Sequence, residues 1–187
     1  MKLLKQVLGI TALTWVAVAT GLAGIVLDAG QRLAVNPRPD AHLRTLFPNA
    51  VVFSPKEGEP PVFKAYAVDP KTNPSAQPIG YAFWTPELLP DEKGYEGPIH
   101  LLVGLDLTAR VTGVVVDYHS EPYGYFSVEP SAFAAQFKGK RLTDPFRVGD
   151  DIAAVSRASL SVASATRAIR DSARIVERAY LKPSTKP

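Results

Sequence analysis

The chain has 187 residues, a formal net charge of +3 and no cysteine. Without cysteine it can hold no disulfide, thiol redox centre, cysteine-bound iron–sulfur cluster or c-type haem attachment, so electron chemistry would require a bound cofactor. Its basic residues are not gathered into aromatic-interleaved patches, which argues against nucleic acid as a partner. The three histidines, His42, His100 and His119, lack the spacing of metal ligands. We therefore predict neither a nucleic-acid partner nor a metal site.

Residues 7–27 form a 21-residue run without a charged side chain, preceded by Lys2 and Lys5. Such a run is long enough to cross a bilayer, and the positive-inside rule places the rest of the chain on the far face. We predict a single transmembrane anchor over residues 1–31 in a bacterial inner membrane, in contact with membrane lipid, with the C-terminal domain in the periplasm. A cleaved signal peptide ending at Ala17-Val18-Ala19 is the alternative.

A proline-rich linker over residues 32–40 leads to the predicted domain, residues 41–181, which is followed by a tail over 182–187. Asp40 is predicted to cap a short helix over residues 41–47. Strands are predicted at residues 51–53, 62–68 and 79–84, and a hairpin at 100–106 and 111–118. A second short helix is predicted over 133–137, before an extended stretch over 150–155. Because residues 62–68 are apolar on both faces, we expect that strand to be covered on each side.

The last predicted helix runs to about Tyr180 and opens with a turn of small and hydroxylated residues, 156–161. The first N–H groups of a helix lack backbone partners and carry the positive end of its dipole, so this turn is a candidate phosphate site. The alternative is that the hydroxyls only cap the helix. An apolar stripe at Ile169, Ala173, Val176 and Tyr180 predicts that the helix packs on the sheet. A second stripe of arginines is either solvated or available to an acidic partner or lipid head groups.

These features together predict an α+β fold, with a twisted antiparallel sheet packed by the C-terminal helix.

Three segments resemble one known family. The turn reads Ser156, Arg157, Ala158, Ser159, Leu160, Ser161, which is similar to the S-G-A-T-x-T segment of the FMN-binding domain family. That family occurs in Rnf electron-transport complexes, the sodium-translocating NADH:quinone reductase and the periplasmic part of the nitrous-oxide respiration protein NosR. Gly94-Tyr95-Glu96-Gly97-Pro98-Ile99 resembles its G-Y-x-G-x-I segment, and His119-Ser120-Glu121-Pro122 resembles the H-x-E-P of NosR-like members.

The resemblance implies FMN as the cofactor, either attached by a flavin transferase through a phosphoester at Ser159 or held there without a covalent bond. Ser156, Ala158, Leu160 and Ser161 would surround the phosphate, and Arg157 would neutralise its charge. Glu121 would either accept a hydrogen bond from the flavin or brace its loop by binding backbone N–H groups. The glycines of G-Y-x-G would let backbone approach a flat ligand. Thr166, in an intact A-T pair, is a competing attachment point.

Arg157 stands where the family has Gly, and Ser159 where it has Thr. Two functions stay open. The first is a periplasmic FMN protein that carries electrons between integral-membrane redox subunits of a respiratory complex, a carrier rather than a self-sufficient enzyme. The second is a flavin-free accessory or assembly subunit that keeps the domain as a scaffold.

Overall fold

The computed structural model describes residues 39–182. The strands are β1 (Val52–Phe53), β2 (Phe63–Tyr66), β3 (Gly80–Trp84), β4 (His100–Asp106) and β5 (Val111–Tyr118). The helices are α1 (Asp40–Leu46), α2 (Thr85–Leu88), α3 (Gly124–Ser127), α4 (Ser131–Ala135) and α5 (Ser159–Val176), and a π-helical turn over Glu177–Leu181 follows α5. The predicted membrane anchor lies outside the described residues. Within residues 39–182, no helix is both long and apolar enough to cross a membrane.

The strands form one antiparallel sheet in the order β1-β2-β3-β4-β5, so each strand pairs with its neighbour in the sequence. The four residues 107–110 join β4 to β5, and so short a connection suits antiparallel neighbours. Both strands of the predicted hairpin are observed with the predicted bounds. The α+β fold with an antiparallel sheet and a C-terminal helix is confirmed.

Both faces of the sheet are covered. Along β4, Leu101 and Val103 lie in one buried cluster and Leu102 lies in the other, as the two-residue period of a strand requires. The first cluster includes residues of α5, and the second includes Leu43 and Leu46 of α1. Burying one such side chain contributes about 1.5–3 kcal/mol. The expectation that residues 62–68 are covered on both sides holds only at the start of that stretch, where Val62 and Phe63 belong to different clusters, because Ala67 and Val68 are exposed.

Helix α5 packs through the predicted apolar stripe. Ile169, Ala173 and Val176 are buried against the sheet. Tyr180, in the π-helical turn, stacks on Tyr81 at 5.0 Å between ring centroids and donates a 2.6 Å hydrogen bond to the Pro60 carbonyl. These contacts fix the direction of α5 and thereby the position of its first turn.

The arginine stripe is largely paired within the chain. Arg167 binds the Glu92 carboxylate at 2.8 Å, and Arg170 binds the adjacent Asp171 at 2.7 Å. Arg174 donates to the Leu142 carbonyl at 3.2 Å. These three guanidinium groups therefore already have acceptors within the chain.

Two local predictions were wrong. Asp40 does not cap α1, because the Pro39 carbonyl accepts the first helical bond and places Asp40 inside the first turn. Residues 150–155 are not extended throughout, because residues 149–151 form a turn and Ile152 makes an isolated bridge to Val148. The Asp151 carboxylate instead accepts hydrogen bonds from the backbone N–H groups of Phe146 and Arg147, at 3.0 and 2.6 Å, and this closes a turn.

Candidate functional site

The hydroxyl-rich turn lies at the mouth of α5, as predicted. Ala158 is the N-cap residue and offers no side-chain cap, and its carbonyl accepts the first helical bond from Val162 at 3.0 Å. Among the described residues, the N–H groups of Ser159, Leu160 and Ser161 have no acceptor. The turn therefore leaves three donors open at the positive end of the helix dipole. The cap-only interpretation is not supported, since none of these hydroxyls caps the helix.

Arg157 has a left-handed backbone, with φ at +67°. Side chains other than glycine are strained there, so this position of the turn favours glycine. Its side chain is exposed, and within residues 39–182 no carboxylate lies within ion-pairing distance of its guanidinium. The turn therefore carries a cation that the rest of the described chain leaves unpaired.

Glu121 supports the turn from the interior of the protein. Its side chain is buried, with 6% of the residue exposed, and it accepts hydrogen bonds from Tyr95 N at 2.8 Å and Glu96 N at 3.0 Å. It also accepts one from the Ser161 hydroxyl. Burial alone would raise the pKa of Glu121, but these hydrogen bonds outweigh it and hold the pKa below its ordinary value. This geometry matches the bracing role: the carboxylate joins loop 94–97 to the first turn of α5.

His119 orders the loop that presents Glu121. Its Nδ1 accepts a hydrogen bond from Glu121 N at 3.1 Å, and its Nε2 lies 2.9 Å from Glu129 Oε1. Gly124 packs so closely that a Cβ there would overlap the imidazole ring. The sequence did not identify His119 as a support of the site, although its two-residue spacing from Glu121 was a usable signal.

Gly94 packs directly on the Glu121 carboxylate. A Cβ at this position would lie 2.5 Å from Glu121 Oε1. The close approach that the sequence indicated is therefore made to a carboxylate of the same chain.

A cavity of about 330 Å³ opens beside the turn. It brings together five of the seven predicted site residues and three that were not predicted. Its lining is Tyr95, Pro122, Tyr123, Arg157, Ala158, Ser159, Leu160 and Ser161. Ser156 is exposed just before this lining, and Glu121 lies buried behind it. The three open N–H groups and the Arg157 guanidinium thus adjoin an apolar wall that includes Leu160, which is 62% exposed.

Residues 94–174 match the family model described as FMN-binding domain. The chain carries a domain of the FMN-binding domain family. The matched segment begins at Gly94, in the loop held by Glu121, and ends within α5, so it encloses the whole cavity lining. The match supports FMN as the cofactor and a flavoprotein role in electron transfer. No curated protein matches the chain.

The residues at the cavity fit the two ends of FMN. The open N–H groups of Ser159, Leu160 and Ser161, with the Arg157 guanidinium, are the donor set that a phosphate requires. Tyr95 is 66% exposed and lines the same cavity, which suits the flat face of an aromatic ring. A volume of about 330 Å³ lies within the range of small-molecule sites.

The two candidate attachment hydroxyls lie in very different surroundings. Ser159 is exposed at the start of α5 and lines the cavity. Thr166 is buried inside the helix, with 2% of the residue exposed, and its hydroxyl donates to the Val162 carbonyl at 2.7 Å. Only Ser159 is open to a modifying enzyme without unfolding of the helix.

Proposed function

We propose that this protein is a membrane-anchored periplasmic FMN carrier, with the phosphate of the flavin held at Ser159. The observation that supports it most directly is the position of Ser159, which is exposed beside three unpaired helix N–H donors inside the matched family segment. Bound FMN supplies electron transfer, and the chain supplies binding and orientation.

Each part of the turn has a separate task in this proposal. The N–H groups of residues 159–161 bind phosphate oxygens, and Arg157 balances their charge. Ser156 and Ser161 flank the turn, and Ser161 is fixed by its hydrogen bond to Glu121. Tyr95 and Tyr123 provide the walls for the ring. The carboxylate of Glu121 keeps the Tyr95 loop and the helix start at a constant separation.

The exposed hydroxyl of Ser159 supports covalent attachment at this residue. A flavin transferase would move FMN from an activated flavin nucleotide: the Ser159 Oγ–P bond forms, the phosphoanhydride bond of the donor breaks, and the second nucleotide leaves with the hydroxyl proton. Serine and threonine hydroxyls can form the same ester, so the departure from the threonine of the family is chemically permitted.

The anchor over residues 7–27 would hold this domain beside integral-membrane redox subunits. Because the chain has no cysteine, the flavin would receive its electrons from those subunits and return them there. Carbonate-resistant sedimentation with membranes, and protease access from the periplasmic face alone, are the expected outcomes. Recovery of a soluble mature chain beginning at Thr20 would contradict the anchor.

Coexpression with a flavin transferase tests the attachment. We expect denatured gel bands to fluoresce under ultraviolet light, and the intact mass to exceed the sequence mass by one FMN less water. Ser159→Ala should abolish both signals, and Thr166→Ala, the matched control, should retain them. Loss of both signals only in Thr166→Ala would place the attachment inside the helix.

A flavin-free scaffold is the second candidate, and the Arg157 side chain favours it. A guanidinium occupies the place where the family has glycine, so the cation itself would fill the phosphate position. A colourless, non-fluorescent protein after coexpression, which also fails to bind added FMN, would support this candidate.

A further inference from the structure

Strand β5 is the long edge of the sheet. It has eight residues, whereas β1 at the opposite edge has two. Its first residue is covered, because Val111 N donates to the Lys140 carbonyl at 2.9 Å and its carbonyl accepts from Gly139 N at 2.7 Å. From Thr112 to Asp117, no other described residue bonds to the outer edge. A row of strand N–H and C=O groups is therefore open to another strand.

The middle of this edge lacks the features that discourage pairing. Edge strands are usually protected by charges, prolines or bulges. Residues 113–116 read Gly-Val-Val-Val, with neither a charge nor a proline. The register shifts of β5 fall opposite Gly104/Leu105 and His100/Leu101, and they leave the pairing of residues 113–116 with β4 regular. The central stretch is thus an uncharged and regularly paired template for an added strand.

A groove runs along the same edge. It has a volume of about 380 Å³ and is bordered by the end of α1, by β5 residues 112–116 and by α4 with its flanking residues. Its two ends carry opposite charges. Lys138 precedes Gly139, which binds Val111 at the start of β5. Glu129 lies at the other end, where its carboxylate is 2.9 Å from His119, the residue that follows β5.

We infer that this edge pairs with β5 of a second copy of the chain, in an antiparallel arrangement about a twofold axis. The opposite charges at the two ends of the groove favour a second copy of the chain as the partner. Antiparallel pairing brings the Lys138 end of one groove to the Glu129 end of the other, and the twofold axis repeats the match. Among the described residues, Lys138 has no carboxylate within ion-pairing distance, so its charge is available.

Charge exchange tests this pairing in the full-length chain, held in detergent micelles and followed by sedimentation velocity. Lys138→Glu places like charges at both ends of the homodimer, as does Glu129→Lys, and each should weaken it about tenfold. A mixture of the two variants restores both matches, so heterodimers should form with the unchanged affinity. Lys71→Glu, which makes the same charge change in the loop between β2 and β3, should leave the homodimer intact.

Cysteine cross-linking fixes the register, because the chain has no native cysteine. Directly opposed residues of an antiparallel pair have their side chains on the same face, so a residue on the twofold axis lies opposite itself. An axis at Val115 places this residue opposite Val115 of the partner subunit, within disulfide reach, and Val115→Cys alone should therefore cross-link under oxidation. Asp117→Cys alone should not, since its two thiols would lie about 14 Å apart along the strands.

A monomer at all concentrations would overturn the inference, whether the edge is then bare, covered by residues outside 39–182 or bound by another protein. A dimer insensitive to both charge changes would also overturn it, because the interface would then lie elsewhere. Neither experiment measures FMN binding, so the dimer and the proposed flavin site can be disproved independently of each other.

Discussion

The Glu121 carboxylate accepts a hydrogen bond from the Ser161 hydroxyl, 40 positions along the chain. The same carboxylate binds the backbone of Tyr95 and Glu96. One buried charge therefore couples the loop that carries Tyr95 to the helix start that carries Ser159. Both of these segments line the cavity.

Glu121→Gln should destabilise the protein by about 2 kcal/mol, because hydrogen bonds to a charged group contribute about 1.5–3 kcal/mol. Each carboxylate oxygen accepts one backbone N–H, and an amide would turn one acceptor into a donor that faces a donor. Urea unfolding measures the change. Glu59→Gln, on an exposed side chain, is the control and should change the free energy of unfolding by less than about 0.5 kcal/mol. Equal effects of the two variants would contradict the bracing role.

The titration of Glu121 should also contribute to the pH dependence of stability. Glu121 and Asp151 both have folded pKa values below their ordinary values of 4.5 and 3.8. Carboxylates of this kind stabilise the fold fully above their unfolded pKa, and the contribution is lost as the pH falls through the folded pKa. The free energy of unfolding should therefore decline below about pH 4.5, and the decline should be shallower in Glu121→Gln. An unchanged slope in that variant would show that Glu121 does not titrate as described.

Local sequence patterns predicted most of the sheet. The bounds of β4 and β5 followed from two apolar runs separated by a turn, since these two strands are neighbours both in the sequence and in the sheet. The turn over residues 149–151 was missed because Asp151 binds backbone groups four and five residues earlier, and side-chain closure of this kind leaves no periodic signal. Tyr95 and Tyr123 were missed for another reason, because loops separated in the sequence bring them to one cavity.

Arg157 should affect stability and flavin binding in opposite directions. Arg157→Gly relieves the left-handed strain at φ +67° and should raise the free energy of unfolding by about 0.5–1 kcal/mol. Arg157→Ala keeps the strain and should not stabilise. Both remove the guanidinium, so both should weaken FMN binding to a similar extent in fluorescence titrations. An unchanged affinity in Arg157→Ala, with a change only in Arg157→Gly, would mean that the backbone conformation, and not the cation, sets the affinity.

The aromatic side chain of Tyr95 should contribute equally to the binding of FMN and of riboflavin, which lacks the phosphate. Tyr95→Ala removes an exposed ring from the cavity and should weaken FMN and riboflavin equally, between about twofold and tenfold, the range for one aromatic contact. Tyr125→Ala is the matched control, because Tyr125 is similarly exposed but does not line the cavity. If Tyr95→Ala weakens the binding of FMN but not that of riboflavin, the flavin ring does not lie against Tyr95.

The most direct test compares FMN with riboflavin, which lacks the phosphate, on protein made without a flavin transferase. A guanidinium bond to phosphate contributes about 1.5–3 kcal/mol, and 1.4 kcal/mol corresponds to a factor of ten. We predict that FMN binds at least about tenfold more tightly than riboflavin, and that Arg157→Ala removes much of the difference. Equal affinity of the two flavins for the unmodified protein would contradict a phosphate site at the turn of Ser156 to Ser161.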